Sequence, residues 1–442
     1  MKTYFIFIAA SIIAISSVRG DDQVAANHIE NWTLSDVLKI TLEQNPDLKS
    51  AKANFEATSH TVGEAVSGYL PKLDFYANTE ETTLPSPSGG LSSQLGMKLN
   101  YTSAVVSINQ VLFDFGRNLA QISANRSLTS SSEQQSFAVR NVVTLAAQQA
   151  FYAVIAEAKL VDSAKESLLR YQETSRRTEI LVKTGARPTF DLTQATVELS
   201  KAKLALINAQ NVLENSKIAL LNIMGIENQK DFTLTESPTL DQTQSTQIDL
   251  DKITQKALMA RPELRSSEFS VDAAKHLVNR EITGYLPVMS FQGWYGSYQD
   301  NYPDTLRSAW GVGLVANWNL FDGLNTTARV GEFSARLDQQ EALREKQRES
   351  ITAEVAKDYM DLVRAESNEK VSNEALQAAI ENQRLARKRY DTAVSTILEL
   401  LIANGSLVDA QATAIQAKYG REIALDQLKT AVNAPLTNSA SN

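Results

Sequence analysis

The sequence contains no cysteine. Disulfide staples are therefore excluded, as is a lipid-acceptor thiol behind an N-terminal leader, so any membrane attachment has to come from the fold itself. Histidine is nearly absent as well. His28, His60 and His276 stand alone, without ligand spacing, and read as surface residues. The segment "VGEAVSG" has too few glycines to cradle a phosphate, and no nucleophile has a base placed beside it. These absences point away from an enzyme and predict neither a cofactor nor a metal. An excess of positive charge is missing too: 43 Lys and Arg face 51 Asp and Glu, for a net charge of −8. Lys2 and Arg19 lie within the first twenty residues, and without them the balance is −10. With no basic run either, a nucleic-acid partner is excluded.

Long hydrophobic runs are confined to one place. Residues 1–20, "MKTYFIFIAASIIAISSVRG", carry one Lys, an apolar run from Tyr4 to Ala14, then small residues and a plausible cut after Gly20. This is the layout of a secretory signal peptide. No other stretch approaches the ~18 apolar residues of a membrane-spanning helix. The chain is nonetheless 43% hydrophobic and 21% charged over 442 residues, a composition that folds. At that length, duplication or an elongated shape is expected.

Duplication is what the sequence shows. "GYLPKLDFYA" from Gly68 is answered by "GYLPVMSFQG" from Gly284, and "NPDLKSA" from Asn45 by "RPELRSS" from Arg261, both 216 positions on. Beyond the Tyr-Leu-Pro the offset becomes 208: "LFDFG" from Leu112 matches "LFDG" from Leu320, and "TGARPTFDL" from Thr184 matches "TAVSTILEL" from Thr392. The shortening falls in "NTEETTLPSPSGGLSSQ", rich in Pro, Gly and Ser, as loop deletions do. The expected organisation is a first repeat over 21–225, a linker at 226–247, a second repeat over 248–432 and a flexible tail at 433–442. Each repeat holds a short helical segment, a strand pair (about 69–113 and 285–321) and a long helical hairpin (about 115–224 and 323–432).

The hairpins follow from what interrupts helices. From Asn118 to Thr184 there is no Gly or Pro, and from Glu332 to Asn404 there is none either. Sixty-seven residues of helix would span ~100 Å, which reads as coiled coil. In the returning helix Leu199, Leu206, Leu213 and Leu220 recur every seven residues, as do Ala195, Ala202 and Ala209 with Ser216 continuing the row. Ala403, Ala410, Ala417 and Ala424 repeat that phase in the second copy. A strict seven-residue repeat imposes supercoiling, and small residues let helix backbones approach.

The strand runs alternate. In "SAWGVGLVANWNLFDG" one face carries Trp310, Val312, Leu314, Ala316 and Trp318, and the other is small and polar. Trp to Trp covers ~27 Å of strand, close to the ~25 Å apolar band of a membrane barrel with its aromatic girdles. Met289, Phe291, Gly293 and Tyr295 share a face of the partner run; Thr102, Ala104, Val106 and Ile108 match in the first copy, where Gln110 replaces the second Trp. Four strands cannot close a barrel, since the smallest need about eight. Open edges are not viable in lipid. If these strands lie in a bilayer, several chains must share one barrel. The other reading is an exported coiled-coil structural or adhesive protein without a pore, whose strands form a soluble cap.

Taken together, the leader, the duplicated strand-pair-plus-hairpin, "GYLP", "LFDFG" and "LFDG" resemble the outer-membrane efflux protein family, TolC-like in layout. The resemblance covers essentially the whole mature chain. It implies a mainly α fold with a membrane β-barrel contribution, in which duplicated helical hairpins (an α-barrel or coiled coil) and four strands per chain are completed by oligomerisation. It further implies a homotrimer with a twelve-stranded barrel in the outer membrane of a Gram-negative bacterium and a large periplasmic tunnel. The function implied is the exit duct of a tripartite efflux or type I secretion system, working with a periplasmic adaptor and an inner-membrane pump. Drug efflux and protein secretion both remain open. Pro71 and Pro287 would mark the barrel–helix junctions, and Trp310 and Trp318 would be lipid-facing aromatic anchors. The hairpin tips, Thr184 to Asp191 and Tyr390 to Glu399, would form the periplasmic entrance. There Asp191 and Glu399, equivalent across the repeat, are either first-turn acids favoured by the helix dipole or an acidic constriction held closed through Arg187 or Tyr390. Ser395 stands where the family often carries a basic latch residue, and Ile402 where a second acid is common.

Overall fold

The computed structural model describes residues 31–84, 97–227, 232–236, 249–300, 305–392 and 394–433. The expected leader, His28, most of the variable loop and of the linker, and the tail from 434 onward lie outside these residues. Each repeat opens with two short helices. α1 (Leu34–Gln44) starts at Thr33, whose hydroxyl and Asp36 cap each other's backbone reciprocally. α2 (Pro46–Val66) places its Pro at the first helical position, under an Asn45 side chain that accepts from Asp47 and Leu48 N–H. Their counterparts α5 (Leu250–Ala260) and α6 (Pro262–Ile282) begin 216 residues later. β1 (Asn31–Trp32) precedes α1 and pairs in parallel with β4 (Thr233–Leu234), which clips the chain before α1 to the segment that follows the first hairpin.

The hairpins are α3 (Arg117–Lys183) with α4 (Thr189–Met224), and α7 (Asn325–Asp391) with α8 (Ile397–Val432). The two long helices have 67 residues each and the two returning helices 36 each. All four starts are offset by 208, so insertion and deletion have spared the coiled coil. The heptad rows face inward: Ala195, Ala202, Ala403, Ala424 and Leu220 are buried, and Leu199, Leu206 and Leu213 half-buried. α4 ends at Gly225, whose left-handed φ of 73° and contact with the α1–α2 elbow both require glycine; a Cβ would stand 2.9 Å from the Gln44 carbonyl. A core around Trp32, Phe151, Leu220 and Met224 anchors the first elbow midway along α3, and one around Ile253, Ile351, Val355 and Leu428 anchors the second.

Between the elbow and the hairpin of each repeat come two strands. β2 (Lys72–Leu84), β3 (Met97–Phe113), β5 (Val288–Asp300) and β6 (Arg307–Asn317) form one antiparallel sheet in that order. β2 and β6 each pair on one side only among the described residues. No helix of the described residues is long and apolar enough to cross a membrane.

The first and second hairpins pack through α3 and α8, and that interface buries charge. Glu422 and Asp426 of α8 are buried beside Tyr152 of α3, with Arg421 held at 2.7 Å by Glu369 and Lys429 3.4 Å from Asp426. Asp426 Oδ2 has no hydrogen-bond partner. Burial pushes both carboxyls above the ordinary carboxylate range and the Tyr152 phenol above its own. A raised carboxyl makes the folded state the tighter proton binder, so its stabilising effect is complete below the unfolded value and is lost as pH rises through the folded one. Asp426→Asn is therefore expected to raise the thermal midpoint at about pH 7.5 and to flatten its dependence between about pH 4 and 7. A midpoint that is unchanged at neutral pH would show that Asp426 carries no such strain.

Candidate functional site: the hairpin tips and the strand–helix junctions

At the junctions the chain has to leave a sheet and start a helix ~100 Å long without orphaning backbone groups. Asp114 of "LFDFG" does this in the first copy. It is buried, its Oδ1 accepts from Gly116 N–H at 3.1 Å and its Oδ2 from Asn118 N–H at 2.8 Å. Asp322 of "LFDG" accepts from Thr326 N–H at 2.8 Å. Each Asp is followed by two left-handed residues, Phe115 and Gly116 or Gly323 and Leu324. One member of each pair is non-Gly, at ~1–2 kcal/mol of backbone strain, which the carboxylate cap offsets. The repeated Asp is visible in the sequence, but residue type alone does not show its capping role.

Pro71 and Pro287 precede β2 and β5, each after a single 3₁₀ turn, Ser67–Tyr69 and Thr283–Tyr285. The tyrosines of "GYLP" bind these junctions together: Tyr69 OH donates to Asp114 Oδ1 at 3.3 Å, and Tyr285 OH to Thr327 Oγ1 at 3.0 Å. Their carbonyls are used as well. Gln110 Nε2 donates to the Tyr69 carbonyl at 3.3 Å, and Trp318 Nε1 to the Tyr285 carbonyl at 3.1 Å. The substitution of Trp by Gln between copies thus preserves one donor aimed at one acceptor. β6 ends at Asn317, so Trp318 stands beyond the strand with its N–H spent on the junction, although its ring is 60% exposed.

Trp310 lies within β6, in register with Tyr295, which faces Val106, which in turn faces Phe75. The next row on that face joins Val312, Gly293, Ile108 and Leu73, and Leu314 follows beside Phe291. Phe75, Leu73, Trp310, Val312 and Leu314 are 67–72% exposed. The opposite face carries Asp74, Asn78, Ser103, Ser107, Asn109 and Gln292, and Gly311 makes room there for the Trp294 indole. A continuous apolar sheet face of this kind on a single chain requires lipid or protein cover.

At the other end of the molecule the tips differ from each other. The first turns through Gly185, φ 72°, with Ala186 N–H donating to Leu181 O at 2.8 Å. The second has neither Gly nor Pro; its Val394 N–H donates to Arg389 O at 2.9 Å, the equivalent bond, and a Thr396 cap accepts from Glu399 N–H. Arg187 crosses from the first tip to the second. Its Nη2 donates to the Ser395 carbonyl at 2.9 Å, and its guanidinium lies 4.9 Å from the centroid of the Tyr390 ring. Tyr390 is 2% exposed, and its hydroxyl is 3.1 Å from Thr178 Oγ1. The structure brings Arg187 and Tyr390 together, but Glu399 pairs with Arg389 at 3.3 Å and Asp191 is buried in the first turn of α4. Repeat equivalence has not given the two acids equal surroundings. Ser395 serves through its backbone carbonyl, a contact its side-chain identity could not reveal. A further ionic bridge went unread in the sequence: Arg177 of α3 grips Asp391 of α7 with two bonds of 3.1 and 3.2 Å, and Arg387 of α7 reaches Glu173 of α3 at 2.7 Å.

Comparison with known proteins matches residues 37–226 and 253–434 to the outer membrane efflux protein family. Protein CyaE of Bordetella pertussis is 24% identical, over 87% of this chain and 81% of its own length. Outer membrane protein TolC of Vibrio cholerae is 22% identical, over 97% and 94%. The solved structure of CusC, a transmembrane channel, superposes with a TM-score of 0.79 at 18% identity, covering 91% of this chain and 92% of that one.

The junction donors give a direct test. Trp318→Phe should lower unfolding stability by about 1 kcal/mol through loss of the bond to the Tyr285 carbonyl, whereas Trp318→Gln, which reproduces the first copy, should retain most of it. Equal losses in a detergent-solubilised melt would assign the contribution to the ring.

Proposed function

Because this chain belongs to the outer membrane efflux protein family, we propose that three copies assemble into one duct through which small molecules or secreted proteins leave the cell. An efflux channel of the Gram-negative outer membrane is the role the family and its relatives carry. The observation that carries the assembly is the open four-stranded sheet with a lipid-like face, whose outer strands β2 and β6 each pair with a strand on one side only among the described residues. In a bilayer each unpaired edge group costs several kcal/mol, so β2 of one copy has to meet β6 of the next. Three copies give twelve strands, within the range of membrane barrels. Trp310 and Tyr295 then lie in lipid, and the polar face of Asp74, Ser107 and Gln292 lines water. Along α4, Val197, Leu204 and, one heptad beyond the polar Asn211, Ile218 form an exposed row in phase with the seven-residue repeat, which supports helices of neighbouring copies closing a tunnel beneath the barrel.

The tunnel extends into the periplasm and ends at the paired tips, where it meets an adaptor protein and an inner-membrane pump that supplies the energy. Arg187 on Ser395 and Tyr390, with Arg177 on Asp391, holds the two tips of one copy together. Asp191 and Glu399 form the acidic entrance, each in the first turn of a helix whose dipole favours the carboxylate.

Two measurements test this reading. The native mass of the protein extracted from outer membranes in mild detergent should correspond to three chains; a monomer released without detergent would sink the shared barrel. In planar bilayers, replacing Asp191 and Glu399 together by Ala should lower cation selectivity and cation block severalfold, as expected when rings of carboxylates are removed from a constriction. Selectivity equal to that of the parent would take both residues out of the conduction path.

A further inference from the structure

Near the tips, where α3 meets α7 and α8, the two hairpins enclose a cavity of about 20 Å³. Three guanidinium groups line it, those of Arg170, Arg177 and Arg387, with Glu173, Asp391 and the carboxamide of Asn404. The two carboxylates are already engaged: Asp391 by Arg177, and Glu173 by both Arg177 at 2.9 Å and Arg387 at 2.7 Å. Arg170 is left with Glu166, 3.6 Å away and with its side chain 64% exposed, and with a neutral Gln411 that accepts from Nη2 at 3.0 Å. Burial holds the Arg170 guanidinium below its ordinary value in spite of Glu166.

Two buried atoms of this lining lack any hydrogen-bond partner, Arg170 Nε and Asn404 Nδ2. Asn404 is 1% exposed, and its Oδ1 accepts from Gln383 Nε2 at 3.1 Å. Both orphans are donors. Native proteins leave few buried donors unanswered, and two of them converging on one cavity call for an acceptor there. A water needs roughly 10–15 Å³ of such space, so the cavity has room for one water or one monatomic ion. A water would accept from both donors but would then have to place two O–H groups against carboxylates already drawn to arginine. A halide needs no acceptor and adds negative charge beside Arg170, whose carboxylate partner Glu166 is exposed and 3.6 Å away.

We propose that this cavity binds a single small monovalent anion of halide size, which accepts hydrogen bonds from Arg170 Nε and Asn404 Nδ2 and ties the first hairpin to the second beside the entrance. Neither Asp191 nor Glu399 lines the site. It makes the packing of the tips responsive to chloride.

The test uses the full-length protein in detergent, with bromide and chloride as probes. Crystals grown in bromide should show an anomalous peak between Arg170 and Asn404. At constant ionic strength, replacing gluconate by chloride should raise the thermal midpoint saturably. Asn404→Leu should weaken the apparent halide affinity about tenfold or more, the scale of one lost hydrogen bond to a charged group. Arg170→Lys, which keeps the charge and removes Nε, should do likewise and serves if the first variant fails to fold. A cavity without a bromide peak, or a chloride response of the same size in both variants as in the parent, would overturn the assignment.

Discussion

Backbone N–H and C=O groups must be paired wherever water is excluded, and in this chain that requirement falls hardest where strand becomes helix. The sheet edge needs another sheet edge, the first turn of a 67-residue helix needs a cap, and both demands meet within a few residues of Asp114 and Asp322. The carboxylates satisfy the helix start, the tyrosines of "GYLP" brace it, and Gln110 or Trp318 occupies the tyrosine carbonyl. With these termini settled inside one chain, the outer edges of β2 and β6 meet no further strand among the described residues. The proposed assembly would apply the same rule at larger scale.

Duplication conserves backbone geometry and lets side chains drift. The two hairpins agree in length, and both elbows place Pro at the start of their second helix. Yet Asn45 caps α2 where Arg261 gives α6 no side-chain cap, and the donor at the junction is an amide in one copy and an indole in the other. The tips show the same freedom. Gly185 makes one turn, while the other turn relies on a Thr396 cap. A single Arg187 then couples the two by using what the second tip offers, a carbonyl and an aromatic face.

Charge is buried where the hairpins meet and displayed where they end. Along α3 and α8 the carboxyls of Glu422 and Asp426 resist ionisation. At the tips a bridge of arginines and acids spans the gap between hairpins. Contacts of the second kind are short-range and hold only while the helices stay in register, so the long coiled coils and the ionic tip contacts depend on one another.

The sequence by itself determined the architecture: two repeats, their offset, the seven-residue seams and the alternating strands all rest on periodicity, which is local and readable residue by residue. Of the candidate site the sequence named residues but not their partners: Pro71 and Pro287 precede β2 and β5, Trp310 lies within β6, and Arg187 meets Tyr390. The tertiary structure alone decided that Trp318 spends its N–H on the Tyr285 carbonyl, that Ser395 acts through its backbone, that Glu399 pairs with Arg389, and that Arg177 spans to Asp391. Trp318 and Tyr285 are 33 residues apart, Arg187 and Ser395 208 and Arg177 and Asp391 214, in elements brought together only by folding, while Glu399 meets Arg389 across the second tip. A backbone carbonyl or a buried orphan donor has no signature in residue type, because its chemistry is set by what the fold places opposite it.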